Sequence, residues 1–253
     1  CPGGELFFYL SQIGRFKEDA ARFYASNILL ALHHLHSQNI LYRDLKPENV
    51  LVSHDGYVKV ADFGLSKENI FGHNEAKSIC GTAEYLAPEI LLNQGHGKAS
   101  DWWSFGGIIY EMLCGEPPFY SKNKEKLFRN IKYSNPRLDF GFLSDNARDI
   151  CAKLLDKNPA TRLGSGPSDA EEIMAHPWFS CINWNAIYEK KQPAPYKPQL
   201  DNEFCTKHFP QEFTQMKLTP QDVSSLKADG KWSNFTYEDQ SIVNEQVDDG
   251  NGF

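Results

Sequence analysis

The stretch at residues 42–49 reads Tyr-Arg-Asp-Leu-Lys-Pro-Glu-Asn, and residues 62–64 read Asp-Phe-Gly. Apolar runs at 50–52 and 58–60 lie between them, and the His-Asp-Gly at 54–56 predicts a hairpin turn. The polar residues therefore fall on loops at the ends of short strands, where functional groups usually lie. Two carboxylates, a lysine and an asparagine stand close together in this stretch: Asp44, Lys46, Asn49 and Asp62.

These four residue types are the ones that phosphoryl transfer from Mg-ATP to a hydroxyl group requires. Asp44 would accept the proton of the attacking hydroxyl, and Lys46 would neutralise charge on the transferring group. Asn49 and Asp62 would hold magnesium, a hard cation that prefers oxygen ligands. A general base contributes about 10²- to 10⁴-fold, whereas positioning contributes roughly 7–11 kcal/mol. The groups that hold the phosphates therefore matter as much as Asp44.

Composition narrows the class of protein. The chain has 253 residues, of which 41% are hydrophobic and 23% charged, typical of a globular protein. Its net charge of −7, without a basic stripe, argues against nucleic-acid binding. Its six cysteines form no C-x-x-C pair, which argues against a zinc site, and no apolar run reaches membrane-spanning length. We expect a monomer in the reducing cytoplasm, recruited to the nucleus or a membrane only through parts outside this chain.

Hydrophobic periodicity predicts a mainly helical chain. One helix covers 5–10 and another 17–36, where histidines in the last turn suggest a solvated helix end. Strand-like runs occur at 40–42, 50–52 and 58–60. Further helical segments are expected around 102–114, 124–131, 146–155 and 169–176. The tryptophans at 102 and 103 are expected in the core, and residues 180–253 read as an extended tail attached at a few aromatic residues.

The octamer, the Asp-Phe-Gly, the Ala-Pro-Glu at 87–89 and the run Asp-Trp-Trp-Ser-Phe-Gly at 101–106 occur in the order found in eukaryotic protein kinases. Tyr42 stands where that family usually has histidine, which is typical of the AGC group. The chain resembles the protein kinase B and serum/glucocorticoid-regulated branches, without a choice between them. The resemblance implies a protein-kinase-like fold of the α+β class, mainly α, with small β-hairpins. It also implies a catalytic domain at 1–179 and an AGC-type tail at 180–253.

The resemblance implies an ATP- and Mg²⁺-dependent serine/threonine protein kinase acting on proteins with basic residues before the phosphoacceptor. Thr82 matches a threonine that bridges the catalytic aspartate and lysine. Glu5, Glu48 and Glu111 match carboxylates that receive substrate arginines, because a carboxylate pairs with arginine through two hydrogen bonds. Glu5 would also contact the ATP ribose. The implied catalytic residues are Asp44, Lys46 and Thr82, and the implied cofactor-binding residues are Glu5, Lys46, Asn49 and Asp62.

Regulation is implied by the same resemblance. Ser78 matches the activation-segment phosphosite, where an upstream activating kinase would act, and Arg43 and Lys67 would bind the added phosphate. Thr219 and Thr236 match two phosphosites of the tail.

Three further residues match structural supports of the family. Glu89 and Arg162 match a buried ion pair. Asp101 matches the residue that anchors the backbone of the catalytic loop.

The resemblance begins at the hinge of the kinase fold, and residues 1–41 contain no glycine-rich loop or strand lysine. We therefore expect this chain to be a fragment that is weakly active or inactive alone. The alternative is a non-catalytic regulatory or interaction module built from the helical lobe. The intact residues of the catalytic loop favour the enzyme.

Overall fold

The structure, a computed structural model, describes residues 1–68, 81–201, 205–209 and 214. A two-stranded antiparallel sheet is set among helices, so the predicted α+β, mainly helical class is confirmed. The helices of the described part are α1 (Leu6–Ile13), α2 (Glu18–Ser37), α3 (Pro88–Leu91), α4 (Lys98–Cys114), α5 (Lys124–Tyr133), α6 (Asp145–Leu154), α7 (Ala170–Met174) and α8 (Trp184–Tyr188). The strands are β1 (Val50–Val52) and β2 (Val58–Val60).

Helix α4 forms the centre of the core. Almost all of its residues are buried because α2 packs on one side and α6 on another. Trp102 and Trp103 are 0% and 1% exposed, which confirms their predicted place in the core. The helix ends at Gly115, whose φ of 88° lies in the left-handed region that favours glycine. A Cβ there would also collide with the carbonyl oxygen of Gly14.

The hairpin places the candidate site residues at one end of the small sheet. Val50 pairs with Val60 and Val52 with Val58, so β1 and β2 are in register along their length. Asn49 directly precedes β1, and Asp62 follows β2 by two residues. The two candidate magnesium ligands therefore leave the hairpin on the same side, as the sequence pattern predicts.

Two predictions about local structure are wrong. The run at 40–42 is not a strand: Leu41 forms an isolated bridge with Lys67, while the amide of Tyr42 donates to the Asp101 side chain. The histidines in the last turn of α2 do not all lie at a solvated helix end: His34 is exposed, but His36 is completely buried and hydrogen-bonded to aspartates. In both cases a carboxylate far along the chain supplies the partner, which local periodicity cannot reveal.

The chain divides into two compact units, Cys1–Pro210 and Gln211–Phe253, and nearly all described residues lie in the first. Within that unit, residues following 179 pack on the lobe: Tyr196 stacks on Tyr24 at 6.5 Å between ring centroids, and Lys190 pairs with Asp55 at 2.7 Å. The predicted domain boundary at 179 stays a prediction. Of the described helices, none is long and apolar enough to cross a bilayer.

Lys157 is half-buried and places its side-chain nitrogen beside the aromatic core. Its Nζ lies 3.8 Å from the ring centroid of Phe119 and 4.7 Å from that of Trp103. Within the described part of the chain this nitrogen has no hydrogen-bond partner. Burial, with a smaller contribution from Arg162, lowers the pKa of Lys157 to about 7. The charged form is therefore disfavoured in the folded state.

We expect Lys157→Met to raise the free energy of unfolding at and below pH 7. Below about pH 7 the wild-type lysine is charged in both the folded and unfolded states, so the folded state bears the full burial penalty. The advantage of the variant should shrink as pH rises from about 7 towards the ordinary lysine value of 10.5, because the amine then folds uncharged. Urea unfolding at several pH values checks this. The exposed Lys122→Met is the control and should show no such pH dependence.

Candidate active site

Asp44 is the centre of a hydrogen-bonded group on the loop before β1. Its carboxylate is 5% exposed, and Lys46 Nζ lies 2.9 Å from Oδ2. Asn49 Nδ2 donates to the main-chain oxygen of Asp44 at 2.9 Å and to Oδ2 at 3.2 Å. The hydroxyl of Thr82 lies 3.5 Å from Oδ1. The structure thus brings three of the predicted partners onto Asp44, and the hydrogen bond from Lys46 raises the pKa of that amine.

The side chain of Asp101, in α4, binds the backbone of this loop. Its two carboxylate oxygens accept the amide hydrogens of Tyr42 at 2.9 Å and Arg43 at 2.8 Å. Arg43 has a φ of +70°, a conformation that a non-glycine residue adopts only when its surroundings hold it there. Gly81, with φ of +102°, passes so close that a Cβ would lie 2.9 Å from the Arg43 carbonyl oxygen. The loop that carries Asp44 is therefore fixed by backbone contacts on two sides.

Asn49 and Asp62 provide a donor set that suits magnesium. Asn49 commits its amide nitrogen to Asp44, which leaves its oxygen side for a cation. Asp62 is exposed, has φ of +59°, and its charge helps to raise the pKa of Lys46. Among the described residues, no three His, Cys, Asp or Glu side chains form a metal-holding group. One carboxylate and one amide fit Mg²⁺, which is usually held by few protein ligands together with substrate phosphates.

A cavity of about 620 Å³ runs from the catalytic loop across the face of α1. Four carboxylates line it, from Glu5, Glu48, Glu84 and Glu111. No Lys, Arg or His is among its lining residues in the described part of the chain. Thr82, which contacts Asp44, lies at the same cavity. A cationic peptide could therefore lie along the carboxylates with its hydroxyl close to Asp44.

Glu111 is the most perturbed of these carboxylates. Burial raises its pKa to about 7, with smaller contributions from the charges of Glu48 and Glu84, while a hydrogen bond from the Tyr85 hydroxyl opposes the rise. Glu5 also has a raised pKa, through burial and then the charge of Glu48. A bound cation would relieve this mutual repulsion.

Glu84 and Tyr85 also line this cavity and were not among the sequence predictions. They lie two and three positions after Thr82, inside the Cys-Gly-Thr-Ala-Glu-Tyr run at 80–85. The short helical turn at Ala83–Tyr85 directs them into the same cavity as Thr82. Their proximity to Thr82 in sequence was the available signal.

A buried ion pair connects α3 to the loop after α6. Arg162 donates from Nη1 and Nη2 to the carboxylate of Glu89 at 2.7 and 2.9 Å. Its remaining donors bind the carbonyl oxygens of Ala99 at 2.6 Å and Asp156 at 2.9 Å. Because both charges are paired and hydrogen-bonded, the burial of the pair is tolerated.

The predicted phosphate-binding residues lie on neighbouring segments. Arg43 Nε donates to the carbonyl oxygen of Leu65 at 2.6 Å, and the backbone of Lys67 pairs with that of Leu41. The charges of both cations contribute, after burial, to lowering the pKa of the buried His96. The predicted phosphosites Ser78, Thr219 and Thr236 lie outside the described residues, so these roles stay predictions.

Residues 1–179 match the family model described as the protein kinase domain. The chain belongs to the protein kinase family. The kinase chain is 46% identical over 255 residues to ribosomal protein S6 kinase beta of Caenorhabditis elegans, covering 99% of this chain and 46% of that protein. It is 48% identical over 222 residues to RAC-beta serine/threonine-protein kinase B of Xenopus laevis, covering 87% of this chain and 46% of that protein. It is 45% identical over 242 residues to the RAC serine/threonine-protein kinase of Drosophila melanogaster, with 93% and 39% coverage.

These relatives confirm the AGC assignment made from Tyr42. The kinase chain spans less than half the length of these relatives. Membership of the family implies the use of ATP and typically Mg²⁺.

Proposed function

We propose that this chain provides the catalytic lobe for Mg-ATP-dependent phosphorylation of serine or threonine hydroxyls in arginine-containing proteins. The observation that carries the proposal is the position of Thr82. Its hydroxyl lies 3.5 Å from Asp44, and it also lines the cavity that contains four carboxylates. A peptide held through its arginines would therefore present its hydroxyl next to the base.

The chain's own residues then have separate tasks. Asp44 Oδ1 and Oδ2 are held by Thr82, Lys46 and Asn49, and one oxygen accepts the hydroxyl proton as the phosphoryl group is attacked. The ammonium of Lys46 stabilises the negative charge of the transferring group. When bound, Mg-ATP would supply the γ-phosphoryl group and charge neutralisation, with Asn49 and Asp62 holding the metal.

The test is transfer of labelled γ-phosphate from ATP to a serine peptide with upstream arginines, using the full-length protein. We expect Mg²⁺-dependent transfer that falls sharply when the arginines are replaced by alanine. A full-length protein that binds such peptides but never phosphorylates them would instead support a non-catalytic module.

The 253-residue chain alone should transfer phosphoryl groups slowly or not at all, because residues 1–41 contain no glycine-rich loop or strand lysine to hold the ATP phosphates. The measurement compares the isolated chain with the full-length protein at equal concentration. Comparable rates would show that these 253 residues are sufficient and that the phosphate contacts have been misassigned.

Replacing one of the carboxylates that line the cavity should weaken recognition of substrate arginines. We expect Glu48→Gln or Glu111→Gln to lower kcat/KM for an arginine peptide about 10- to 100-fold, since a hydrogen bond to a charged group contributes about 1.5–3 kcal/mol. The loss should disappear with a peptide whose matching arginine is alanine. Glu116, an exposed acid beside the groove, is the control, and Glu116→Gln should leave kcat/KM unchanged.

Recognition through Glu111 should also depend on pH. Because its pKa is about 7, the carboxylate that pairs with arginine is formed as pH rises through 7 and lost below it. We expect the ratio of kcat/KM between arginine and alanine peptides to grow across this range. In Glu111→Gln the ratio should be flat. The ratio cancels the titration of enzyme groups that affect kcat/KM for both peptides equally.

We further propose that phosphorylation of Ser78 by an upstream kinase increases activity through Arg43 and Lys67, and that Thr219 and Thr236 are additional phosphosites. The closeness of both cations to His96 supports a shared basic region near the start of the activation segment.

A further inference from the structure

His36, in the last turn of α2, connects three parts of the kinase lobe. Its ring is completely buried. Nε2 lies 2.9 Å from Oδ2 of Asp101, the residue that holds the catalytic loop. Nδ1 lies 3.1 Å from Oδ2 of Asp169, at the start of α7. The two aspartates are 65 and 133 positions away in sequence.

The same carboxylates have other fixed partners. Asp101 accepts the amide hydrogens of Tyr42 and Arg43, so one carboxylate binds both the imidazole and the catalytic-loop backbone. Asp169 Oδ1 accepts the indole N–H of Trp102 at 2.8 Å, and the ring of Trp102 packs edge-on against His36 at 4.7 Å. These contacts leave His36 little freedom to rotate away from either carboxylate.

This geometry favours one protonation state of the ring. A neutral imidazole has one donor nitrogen and one acceptor nitrogen, so one of its nitrogens would face a carboxylate lone pair without a hydrogen. The imidazolium donates on both sides and satisfies both carboxylates. The charged groups that face the ring are Asp101 from α4 and Asp169 from the α7 segment. The Nζ of Lys98 lies 3.8 Å from Oδ2 of Asp169. Because two carboxylates contact the ring and the ammonium of Lys98 contacts only the second of them, the surrounding charges favour a protonated His36.

We propose that His36 is a buried imidazolium that acts as a positioning residue for the catalytic loop, because it fixes the Asp101 carboxylate that binds the loop backbone. The role in activity rests on the proposed kinase function, whereas the charge state and the loop contact do not. Loss of one proton would leave either Asp101 or Asp169 facing an imidazole lone pair, and would weaken the contacts that hold the Asp101 carboxylate against the backbone that carries Asp44.

The direction of the pH dependence follows from the pKa. Burial opposes protonation, but the hydrogen bonds to Asp101 and Asp169 outweigh it and raise the pKa of His36 above its ordinary value of 6.5. The stabilisation is therefore fully present below about pH 6.5, the unfolded value, and is lost as pH rises through the raised value. Looser binding of the catalytic loop is expected on the alkaline side.

The first test observes the ring directly. In full-length protein labelled with ¹⁵N-histidine, His36 should show two protonated ring nitrogens at pH 6.5, where a free histidine is half charged, assigned by their disappearance in His36→Gln. Asp169→Asn removes one of the two charges while keeping an oxygen for Trp102, and should move the loss of that proton to lower pH. A neutral tautomer with a single ring N–H at pH 6.5 would overturn the proposal.

The second test measures positioning without using activity. Hydrogen exchange at the amides of Tyr42 and Arg43 should be about tenfold faster in His36→Gln, the fold-change expected for roughly 1.4 kcal/mol. In Asp169→Asn, the pH at which these amides lose their protection should be lower than in wild type. His34→Gln, an exposed residue in the same turn, is the control and should not change it. Unchanged exchange at both amides in His36→Gln would overturn the positioning role.

The third test concerns turnover. His36→Gln should lower kcat about tenfold with little change in KM, and Asp169→Asn should move the alkaline decline of kcat to lower pH. An unchanged kcat in His36→Gln, together with faster exchange, would overturn the link to catalysis. Inactivity of the wild-type protein would reject the proposed function, while the charge and exchange results would still decide the two structural claims.

Discussion

Asp44→Asn is expected to lower kcat of the full-length kinase by about 10²- to 10⁴-fold, the usual contribution of a general base. Asparagine has nearly the same shape and still accepts one hydrogen bond, but it cannot take the hydroxyl proton. Lys46 also loses the carboxylate that lies 2.9 Å from its amine. KM for ATP should change little, because Asp44 is not among the proposed phosphate or metal contacts. Steady-state kinetics with an arginine peptide measure both parameters.

The matched control is Asp19→Asn, since the Asp19 side chain is 96% exposed on α2, where it pairs with Arg22. Its kcat should be that of wild type. Thermal unfolding of both variants shows whether a loss of activity reflects a loss of fold. If correctly folded Asp44→Asn turns over as fast as wild type, Asp44 is not the base and the proton leaves by another route.

Arg162→Ala is expected to lower the free energy of unfolding by about 3–5 kcal/mol, the cost of leaving a buried charge without its partner. Arg162 is 1% exposed and Glu89 is 2% exposed. The substitution removes both hydrogen bonds to Glu89 and those to two main-chain oxygens. Urea unfolding of the variant and wild type gives the difference.

The contrast with a surface pair sharpens this prediction. Arg137 and Asp139 form an ion pair at 2.8 Å whose side chains are 70% and 74% exposed. Exposed pairs contribute about 0–1 kcal/mol, so Arg137→Ala should have a small effect. Replacing both Glu89 and Arg162 by methionine should recover much of the stability, since no buried charge is then left unpaired. Equal effects of Arg162→Ala and Arg137→Ala would contradict the account.

Local sequence was sufficient for much of the fold. The hairpin around His54-Asp55-Gly56 could be predicted because its signal is alternation and a turn within a few residues. Helix α2 could be predicted from its apolar stripe. The contacts of Lys46 and Asn49 with Asp44 could also be predicted, because residues so close in sequence on one loop must lie near one another.

Contacts between distant residues could not be predicted in the same way. Asp101 lies 59 positions after Tyr42, and its carboxylate takes the Tyr42 amide that a strand at 40–42 would need. His36 was interpreted as part of a solvated helix end because nothing near it in sequence indicates Asp101 or Asp169. Glu84 was missed for another reason: only the folded turn directs it into the same cavity as Glu48 and Glu111.

The central claim is that Asp44 and the carboxylate-lined groove act together on one substrate. The most direct measurement is single-turnover transfer of labelled γ-phosphate by the full-length protein to an arginine peptide, with Mg²⁺ or with EDTA. The account predicts Mg²⁺-dependent labelling of the peptide hydroxyl, abolished by Asp44→Asn and weakened for the arginine peptide alone by Glu48→Gln. Labelling that survives Asp44→Asn, or that is indifferent to both the arginines and Glu48, would contradict it.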